Sequence, residues 1–293
     1  MKFFLHRTIK TFFLVWCVLA LSAGMFAGSG WSSSPTTAAA PRPAPAPSVC
    51  LYQFLKDDKG NPIAQPRYLV IVQGDLVRQT FHDAASSVIV NPANTHMLGG
   101  EGVDRAVHDA AGGALRKECE RLPITAGKAR ARAGDAFLLH QAGHLATDVI
   151  AAVGPDCRFD HQYDNREALM RQVVDSVLTV ADERKYAVGA GEARGLVREV
   201  AWSGISEGAF LYEPSFAVAA RYRAMATYFA ARSASTVLVC RDVRSSAYMF
   251  SIAVEQANKL CAAGILGHVE LSDNNWQSIV YTGDLERREQ GVR

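Results

Sequence analysis

Residues 88–112, VIVNPANTHMLGGEGVDRAVHDAAG, join a short apolar run, a polar loop, a glycine cluster and a helical pattern. The apolar run at 88–90 is β-branched, which predicts a buried strand. From Val103, apolar residues recur three and four positions apart, which predicts a helix over 103–121 with one buried face. Gly99, Gly100 and Gly102 leave backbone amides free at the start of that helix. This arrangement is typical of a phosphate site.

Two common phosphate motifs do not account for the glycine cluster. A dinucleotide fingerprint read from Gly100 needs glycine or alanine at position 105, where this chain has Arg105. A P-loop needs Gly-Lys-Ser/Thr after the glycines, and Gly-Val-Asp follows here. The cluster therefore belongs to another class of anion-binding loop.

Strand-like and helix-like segments alternate along the chain. Strands are predicted at 50–55, 68–73, 86–90, 149–155, 196–202 and 236–240, and helices at 103–121, 165–183, 217–231 and 248–262. Alternation of this kind predicts an α/β layered sheet with helices on both faces. The loops at 91–102 and 204–212 both follow strands, so they should meet at the carboxyl edge of the sheet, where ligands bind. Residues 268–271 and 278–281 are predicted to form a terminal hairpin, and the charged tail at 286–293 to fray.

Composition sets the broad class. The chain has 293 residues, of which 49% are hydrophobic, and a formal net charge of only +2. Without a dense basic patch, a general nucleic-acid binder is not expected. No cysteine pair has C-x-x-C spacing, so a zinc site is not expected, and nothing calls for a metal or cofactor. Cys119 and Cys240 lie in apolar patterns and are predicted to be core residues.

The N-terminal part reads as a targeting segment and a linker. Residues 1–30 have a short basic start and a 17-residue, mostly apolar run, so we expect a signal peptide or, alternatively, an uncleaved membrane anchor. Residues 31–48 are rich in Pro and Ala and are predicted to be a disordered tether. The folded domain should span 49–293, and the protein should be exported, periplasmic or secreted. Its remaining cysteines permit one or two disulfides without requiring them.

The glycine-rich stretch carries a longer pattern. Its residues are Asn91-Pro92-Ala93-Asn94, Leu98, Gly99-Gly100-Glu101-Gly102-Val103-Asp104, Ala106-Val107-His108 and Ala110-Ala111-Gly112. This pattern resembles the macrodomain family, especially its MacroD-type hydrolase branch. The resemblance covers about 68–262 and implies a three-layer α/β/α fold with a mixed, mostly parallel central sheet. The remaining C-terminal residues would be an extension.

The resemblance implies an ADP-ribose site. Asp75 would accept a hydrogen bond from the adenine amino group, and the backbone amide of Leu76 would meet the ring. By residues alone, Gly-Asp is equally a common turn. Two loops would hold the diphosphate and the distal ribose; their predicted ligand residues are Asn94, Gly99, Gly100, Glu101, Gly102, Val103, Ser206, Glu207, Gly208, Ala209 and Phe210.

The catalytic pair implied by the resemblance is Asn94 and Asp104. Asp104 would activate a water as general base, directly or through a ribose hydroxyl, while Asn94 positions the ribose. By position alone, Asp104 also suits the first turn of a helix, and Asn94 suits a turn. His108 lies four residues after Asp104 and is expected to be an ordinary helix histidine.

Three departures from the family pattern bear on affinity. Glu101 replaces a glycine and Glu207 a threonine, which places two acids near the diphosphate loops. Pro92 replaces an alanine and removes an amide donor. Elsewhere, Lys128, Arg130 and Arg132 alternate, as on a solvated strand edge or, alternatively, beside a phosphate.

Three functions follow as hypotheses. The first is an ADP-ribose-binding hydrolase that removes ADP-ribose from mono-ADP-ribosylated acidic side chains or deacetylates O-acetyl-ADP-ribose. The second is a non-catalytic ADP-ribose-binding module of an exported protein. The third is an envelope protein whose pocket has become a partner surface. The expected partner is ADP-ribose or an ADP-ribosylated protein, with membrane attachment through the N-terminal segment as an open alternative.

Overall fold

A single eight-stranded sheet organises the computed structural model, which describes residues 49–125, 127–189, 191, 195–271 and 275–289. The strand order is β4-β5-β3-β6-β7-β2-β1-β8. The strands are β1 Val49–Phe54, β2 Tyr68–Gln73, β3 Ser87–Pro92, β4 Ala136–Leu139, β5 Asp148–Ala152, β6 Glu199–Trp202, β7 Val239–Arg244 and β8 Leu266–Val269.

The centre of the sheet is parallel and its edges are antiparallel. β5, β3, β6, β7 and β2 are neighbours that run parallel, while β4 pairs antiparallel with β5, and β1 pairs antiparallel with β2 and β8. The predicted mixed, mostly parallel sheet is therefore confirmed. Because the central strands are parallel, the loops after β3, β5 and β6 reach the same edge.

Helices cover both faces of this sheet. They are α1 Gly102–Ala111, α2 Gly113–Arg121, α3 Asp160–Tyr163, α4 Arg166–Glu183, α5 Pro214–Ala231, α6 Ala247–Ala262 and α7 Trp276–Glu289. Buried residues of α4, α5 and α6 share one core with alternate strand residues such as Leu69 and Ile71. Those of α1, α2 and α7 share a second core with Val70 and Val72. The period-two alternation of β2 thus joins two cores, and the predicted three-layer α/β/α arrangement is confirmed.

Several predicted elements were wrong. The helix over 103–121 is two helices, because Gly112 takes a left-handed φ of 61° that ends α1. Residues 128–132 form no strand among the described elements and lie in the loop between α2 and β4. The predicted terminal hairpin does not form either. β8 instead pairs with β1, and residues 278–281 lie inside α7, where Trp276 and Val280 are buried four residues apart.

The predicted targeting segment at 1–30, the tether at 31–48 and the end of the charged tail lie outside the described residues. Within the part of the chain that is described, no helix combines the length and hydropathy needed to cross a bilayer. Cys119 and Cys240 are buried in the two cores, as predicted. All five described cysteines are free thiols.

Candidate functional site

The first loop, residues 91–102, leads from β3 into α1 and is shaped by Asn94. The Asn94 side-chain oxygen accepts hydrogen bonds from the backbone N–H groups of His96 at 2.9 Å and Met97 at 3.2 Å. Its amide nitrogen donates to the carbonyl of Gly99 at 3.1 Å. The side-chain oxygen of Asn94 therefore stabilises a turn, the role that its position alone predicted. Its amide nitrogen also lies 3.5 Å from a carboxylate oxygen of Asp104, so the two predicted site residues are brought together.

Asp104 lies in the first turn of α1 and is only 4% exposed. Asn91, at the end of β3, donates a hydrogen bond to one of its oxygens at 2.8 Å, and the His108 ring nitrogen lies 3.5 Å from the same oxygen. Burial raises the pKa of Asp104, although the Asn91 hydrogen bond and the charge of His108 oppose this. Burial lowers the pKa of His108. The result is a buried carboxylate that is a stronger base than an ordinary aspartate.

Gly100 allows the loop to pass close to this pair. A Cβ atom at this position would lie 2.9 Å from an Asp104 oxygen and 3.0 Å from the Asn94 amide nitrogen. Gly99, the preceding residue, has a φ of 86°, which favours glycine. Because Gly100 has no side chain, the Asn94–Asp104 pair is not covered by this part of the loop. The glycine cluster also leaves backbone amides free.

The second loop, residues 203–212, joins β6 to α5 and faces the first. Ser206 has a left-handed φ of 65° and is 7% exposed, so the loop turns sharply there. Gly154, just after β5, lies beneath it, since a Cβ atom there would come within 2.2 Å of the Ser206 hydroxyl oxygen. Beyond the turn, Gly208 is exposed and open, and Phe210 follows half-buried.

Glu207, the acid that the sequence placed near the diphosphate loops, pairs with two buried arginines. Its carboxylate is 4% exposed and turns inward, 2.5 Å from an Arg244 nitrogen and 3.4 Å from an Arg221 nitrogen. Asp242 accepts hydrogen bonds from the same two arginines, at 2.8 Å each, and from Tyr222. The acid of the second loop is thus neutralised in a buried cluster with two cations and two anions.

A cleft of about 840 Å³ opens between the two loops. Glu101 lies at its rim with an exposed side chain that makes no capping hydrogen bond. Ten predicted residues line this cleft: Asn94, Gly100, Glu101, Gly102, Val103, Asp104, Ser206, Gly208, Ala209 and Phe210.

The loop after β5 forms a wall of the cleft that the sequence analysis missed. Arg158 donates two hydrogen bonds to Asp156, at 2.6 and 2.8 Å, and lies 5.3 Å from the ring centroid of Phe210. Burial acts to raise the pKa of Asp156, but the Arg158 hydrogen bonds outweigh it and the pKa is lowered. Phe159 and Gln162 complete this wall. Its position in the sequence could have identified it, because this loop follows a parallel strand and so reaches the same sheet edge as the other two loops.

A smaller cavity of about 320 Å³ lies on the other side of the two loops. It contains Asp75, Leu76 and Glu207 among its lining residues, and it shares Val103, Gly204 and Gly208 with the larger cleft. Asp75 caps a short 3₁₀ turn by accepting a hydrogen bond from the Val77 amide at 3.1 Å. Asp75 is therefore a turn residue, as the alternative predicted, that also borders a cavity. Gly99 is the one predicted residue that lines neither space among those described.

The sequence comparisons identify the family. The macro domain profile matches residues 90–220. An O-acetyl-ADP-ribose deacetylase of Cronobacter turicensis is 31% identical over 174 residues, which cover 59% of this chain and 88% of that protein. The macro domain-containing protein lmo2759 of Listeria monocytogenes is 41% identical over 101 residues, or 34% of this chain and 53% of that one.

The structural comparison agrees. A macrodomain of Oceanobacillus iheyensis, solved with ADP, superposes with a TM-score of 0.57 at 23% identity, covering 74% of this chain and 99% of that one. This similarity establishes the fold. The chain belongs to the macro domain family. It spans about half the length of several other curated relatives that it matches.

Proposed function

We propose that this macro domain binds ADP-ribose and hydrolyses a bond at its distal ribose. The bond is the acetyl ester of O-acetyl-ADP-ribose or the ester that joins ADP-ribose to an acidic side chain. Relatives named O-acetyl-ADP-ribose deacetylase support this class of reaction. The observation that carries the proposal is Asp104, a buried carboxylate of raised pKa that lines the cleft 3.5 Å from Asn94.

The two adjoining spaces suit the two ends of such a ligand. Adenine would occupy the smaller cavity beside Asp75 and Leu76. The diphosphate would cross between the loops, where amides at the N-terminus of α1 and near Gly208 would be available to bind an anion. The distal ribose would then reach the larger cleft, next to Asn94 and Phe210.

The chemistry follows from the surroundings of Asp104. Asp104 takes a proton from a water molecule, directly or through a ribose hydroxyl, as the water oxygen attacks the acyl carbon. The bond between the acyl carbon and the ribose oxygen breaks, and that oxygen takes the proton from Asp104. The products are a carboxylic acid and ADP-ribose. The amide of Asn94 holds the ribose so that the attack follows one line.

Substitution of the base tests this mechanism. Asp104→Asn should lower the turnover of O-acetyl-ADP-ribose and of mono-ADP-ribosylated protein by at least about 100-fold, the range of general-base contributions. The affinity for ADP-ribose, measured by calorimetry, should change by less than about fivefold, because the residue acts in the reaction rather than in anchoring. The matched control is Asp109→Asn, an exposed aspartate on the same helix that pairs with Arg105.

The outcomes separate three functions. Turnover that survives Asp104→Asn contradicts the mechanism. ADP-ribose binding without any turnover by the unmodified protein indicates the binding module, which the acid Glu101 at the cleft rim favours. No ADP-ribose binding at millimolar concentration overturns both and leaves the cleft as a partner surface.

We further propose that the protein is exported and acts on modified proteins or products outside the cytosol. The support is the sequence of residues 1–30, a basic start followed by an apolar run. N-terminal sequencing of the mature protein, with fractionation of the producing cells, tests this. A cleaved N-terminus near residue 30 in the periplasm or medium is expected, an intact membrane-bound chain indicates an anchor, and an intact cytosolic chain contradicts export.

A further inference from the structure

A second groove, which we call the basic groove, leaves the larger cleft beside the catalytic pair. Its volume is about 510 Å³. Asn94 and His96 line both the cleft and the groove, so the two adjoin at the end of the cleft where the distal ribose would lie. The lining residues of the basic groove are Asn94, His96, Leu98, Gly99, Arg116, Ile124, Lys128 and Arg130.

The cationic segments of the basic groove are tied to the loop that carries Asn94. The Arg130 guanidinium donates to the carbonyl of His96 at 3.5 Å, and that of Arg116 to the carbonyl of Leu98 at 3.4 Å. The carbonyl of Lys128 lies 3.2 Å from the His96 ring nitrogen. The positions of the basic residues are therefore coupled to the position of the first loop.

The charge of the basic groove has one sign. Every titratable side chain that lines it in the described part of the chain is basic. Of these side chains, Arg116 pairs with a carboxylate, that of Glu120, at 3.1 Å on the exposed face of α2. The Nε atom of Arg130 is buried without a hydrogen-bond partner among the described residues. An anion in the basic groove would therefore meet donors rather than competing acids.

The groove also has an apolar side. Ile124 is 60% exposed at its border, and Leu98 is half-buried within it. A polypeptide carries both carboxylates and apolar side chains, whereas nucleic acid requires cations spread along a backbone. With a formal net charge of +2, this chain favours the polypeptide.

We propose that the basic groove binds the polypeptide that bears the ADP-ribosylated side chain, with a preference for acidic residues beside the modified position. The inference rests on the proposed function, because the groove begins where the distal ribose would end. The proposal assigns a role to Lys128 and Arg130. The sequence allowed two interpretations of these basic residues, a solvated strand edge or an anion site. Arg132, the third of that series, does not line the groove.

The test compares peptides joined to ADP-ribose through a stable, non-hydrolysable linkage. One peptide has Asp and Glu beside the modified position, and the other has Ser and Gly. At low ionic strength the acidic conjugate should bind about tenfold tighter, because two or three exposed ion pairs each contribute a few-fold. In the charge-reversal variant Lys128→Glu, which keeps the backbone carbonyl that contacts His96, this advantage should fall below about twofold, while the affinity for free ADP-ribose and the turnover of O-acetyl-ADP-ribose stay unchanged.

A matched control removes two charges elsewhere. Arg223→Gln with Lys259→Gln changes exposed residues of α5 and α6, on the opposite face of the sheet, and should keep the full advantage. Equal binding of the two conjugates, or an advantage that survives in the groove variant, overturns the proposal. An ADP-ribosylated oligonucleotide that outcompetes the acidic peptide, with the gain lost in the groove variant, reassigns the groove to nucleic acid. Failure of free ADP-ribose to bind overturns the proposed function and, with it, this proposal.

Discussion

At the residue scale, the two glutamates near the phosphate loops have opposite surroundings. Glu101 is exposed at the start of α1, whereas Glu207 is buried against Arg244 and Arg221. With Asp242, the buried cluster contains two positive and two negative charges. Glu207 therefore holds the second loop to the body of the domain, and of these two glutamates it is Glu101 that lines the larger cleft.

We expect Glu207→Gln to lower the free energy of unfolding by about 3–5 kcal/mol, because the two buried arginines are then left to share one carboxylate, that of Asp242. Urea titration followed by fluorescence measures the change. The double variant Glu207→Gln with Arg244→Met should recover part of the loss, since it restores the charge balance. A loss below about 1 kcal/mol in the single variant would contradict the role of this cluster.

We expect the opposite pattern for Glu101→Gln. Its unfolding free energy should change by less than about 0.5 kcal/mol, as is usual for an exposed side chain. Its affinity for ADP-ribose should rise about threefold at low salt, because the substitution removes an acid from the rim of the anion site. Calorimetry measures the affinity, and unchanged or weaker binding would show that Glu101 does not repel the ligand.

The pH dependence of turnover reports on Asp104. A general base must be deprotonated, and burial raises the pKa of Asp104, so activity should fall on acidification at a higher pH than an ordinary aspartate would give. The Asn91 hydrogen bond lowers that pKa, so Asn91→Ala should move the acidic limb to still higher pH. A pH–kcat profile measures both. A limb that stays in place or moves to lower pH in Asn91→Ala would contradict the assignment.

The family resemblance implied that Asn94 and Asp104 act together, and the two lie 3.5 Å apart because strand, loop and first helical turn are consecutive in the chain. The direction of Glu207 could not be predicted in this way. Its partners Arg221 and Arg244 lie 14 and 37 residues away and meet it only once α5 and β7 are in place. Sequence order therefore accounts for the contact between Asn94 and Asp104 and not for the buried cluster.

At the element scale, the site depends on three loops that follow parallel strands. The loops after β3 and β6 face each other, and the loop after β5 supports the second. At Gly154, a Cβ atom would lie 2.2 Å from the Ser206 hydroxyl and 2.4 Å from an Ile205 methyl carbon. The absence of a side chain at this position thus lets β5 approach the second ligand loop.

We expect Gly154→Ala to weaken ADP-ribose binding by about tenfold, because both neighbouring side chains must move and displace the second loop. Calorimetry and a thermal melt check this. The matched control is Gly113→Ala, at the start of α2, where a Cβ atom meets nothing within 4 Å. That control should bind normally and be stabilised by up to about 1 kcal/mol, since alanine favours a helix. Normal binding by Gly154→Ala would contradict the supporting role.

The type of an element could be predicted where its apolar residues recur with one clear period, as in β2 and α4. The prediction of a single helix over 103–121 was wrong because its apolar stripe continues across Gly112, whose backbone geometry the pattern does not reveal. The strand predicted at 278–281 was wrong because Ile279, Val280 and Tyr281 have strand propensity, while burial of Trp276 and Val280 on one face favours α7. Tertiary packing decided both cases.

At the scale of the whole molecule, segments outside the family resemblance complete the domain. β1 contributes the fully buried Leu51 and Tyr52, one to each core. In α7, the Tyr281 hydroxyl donates to the buried Glu199 at 2.9 Å, and Trp276 lies over Arg241. Burial raises the pKa of Glu199, and the charge of Arg241 and the Tyr281 hydrogen bond oppose this increase. The resemblance over 68–262 therefore marks the family and not the folding unit.

We expect a fragment of residues 49–293 to unfold in one cooperative transition and to bind ADP-ribose as the full chain does. A fragment limited to 68–262 should fail to fold cooperatively, because it exposes one side of β2 and loses the β1 and α7 residues of both cores. Circular dichroism melts and calorimetry distinguish these results. Cooperative unfolding of the shorter fragment would contradict the structural role of the added segments.

The most direct test of the account is a crystal structure of the Asp104→Asn variant with ADP-ribose. We predict diphosphate oxygens within about 3.2 Å of backbone amides from both loops, adenine beside Asp75, and the distal ribose next to Asn94 and residue 104. A nucleotide bound elsewhere, or a cleft that stays empty at saturating ligand while ADP-ribose still binds in solution, would contradict it.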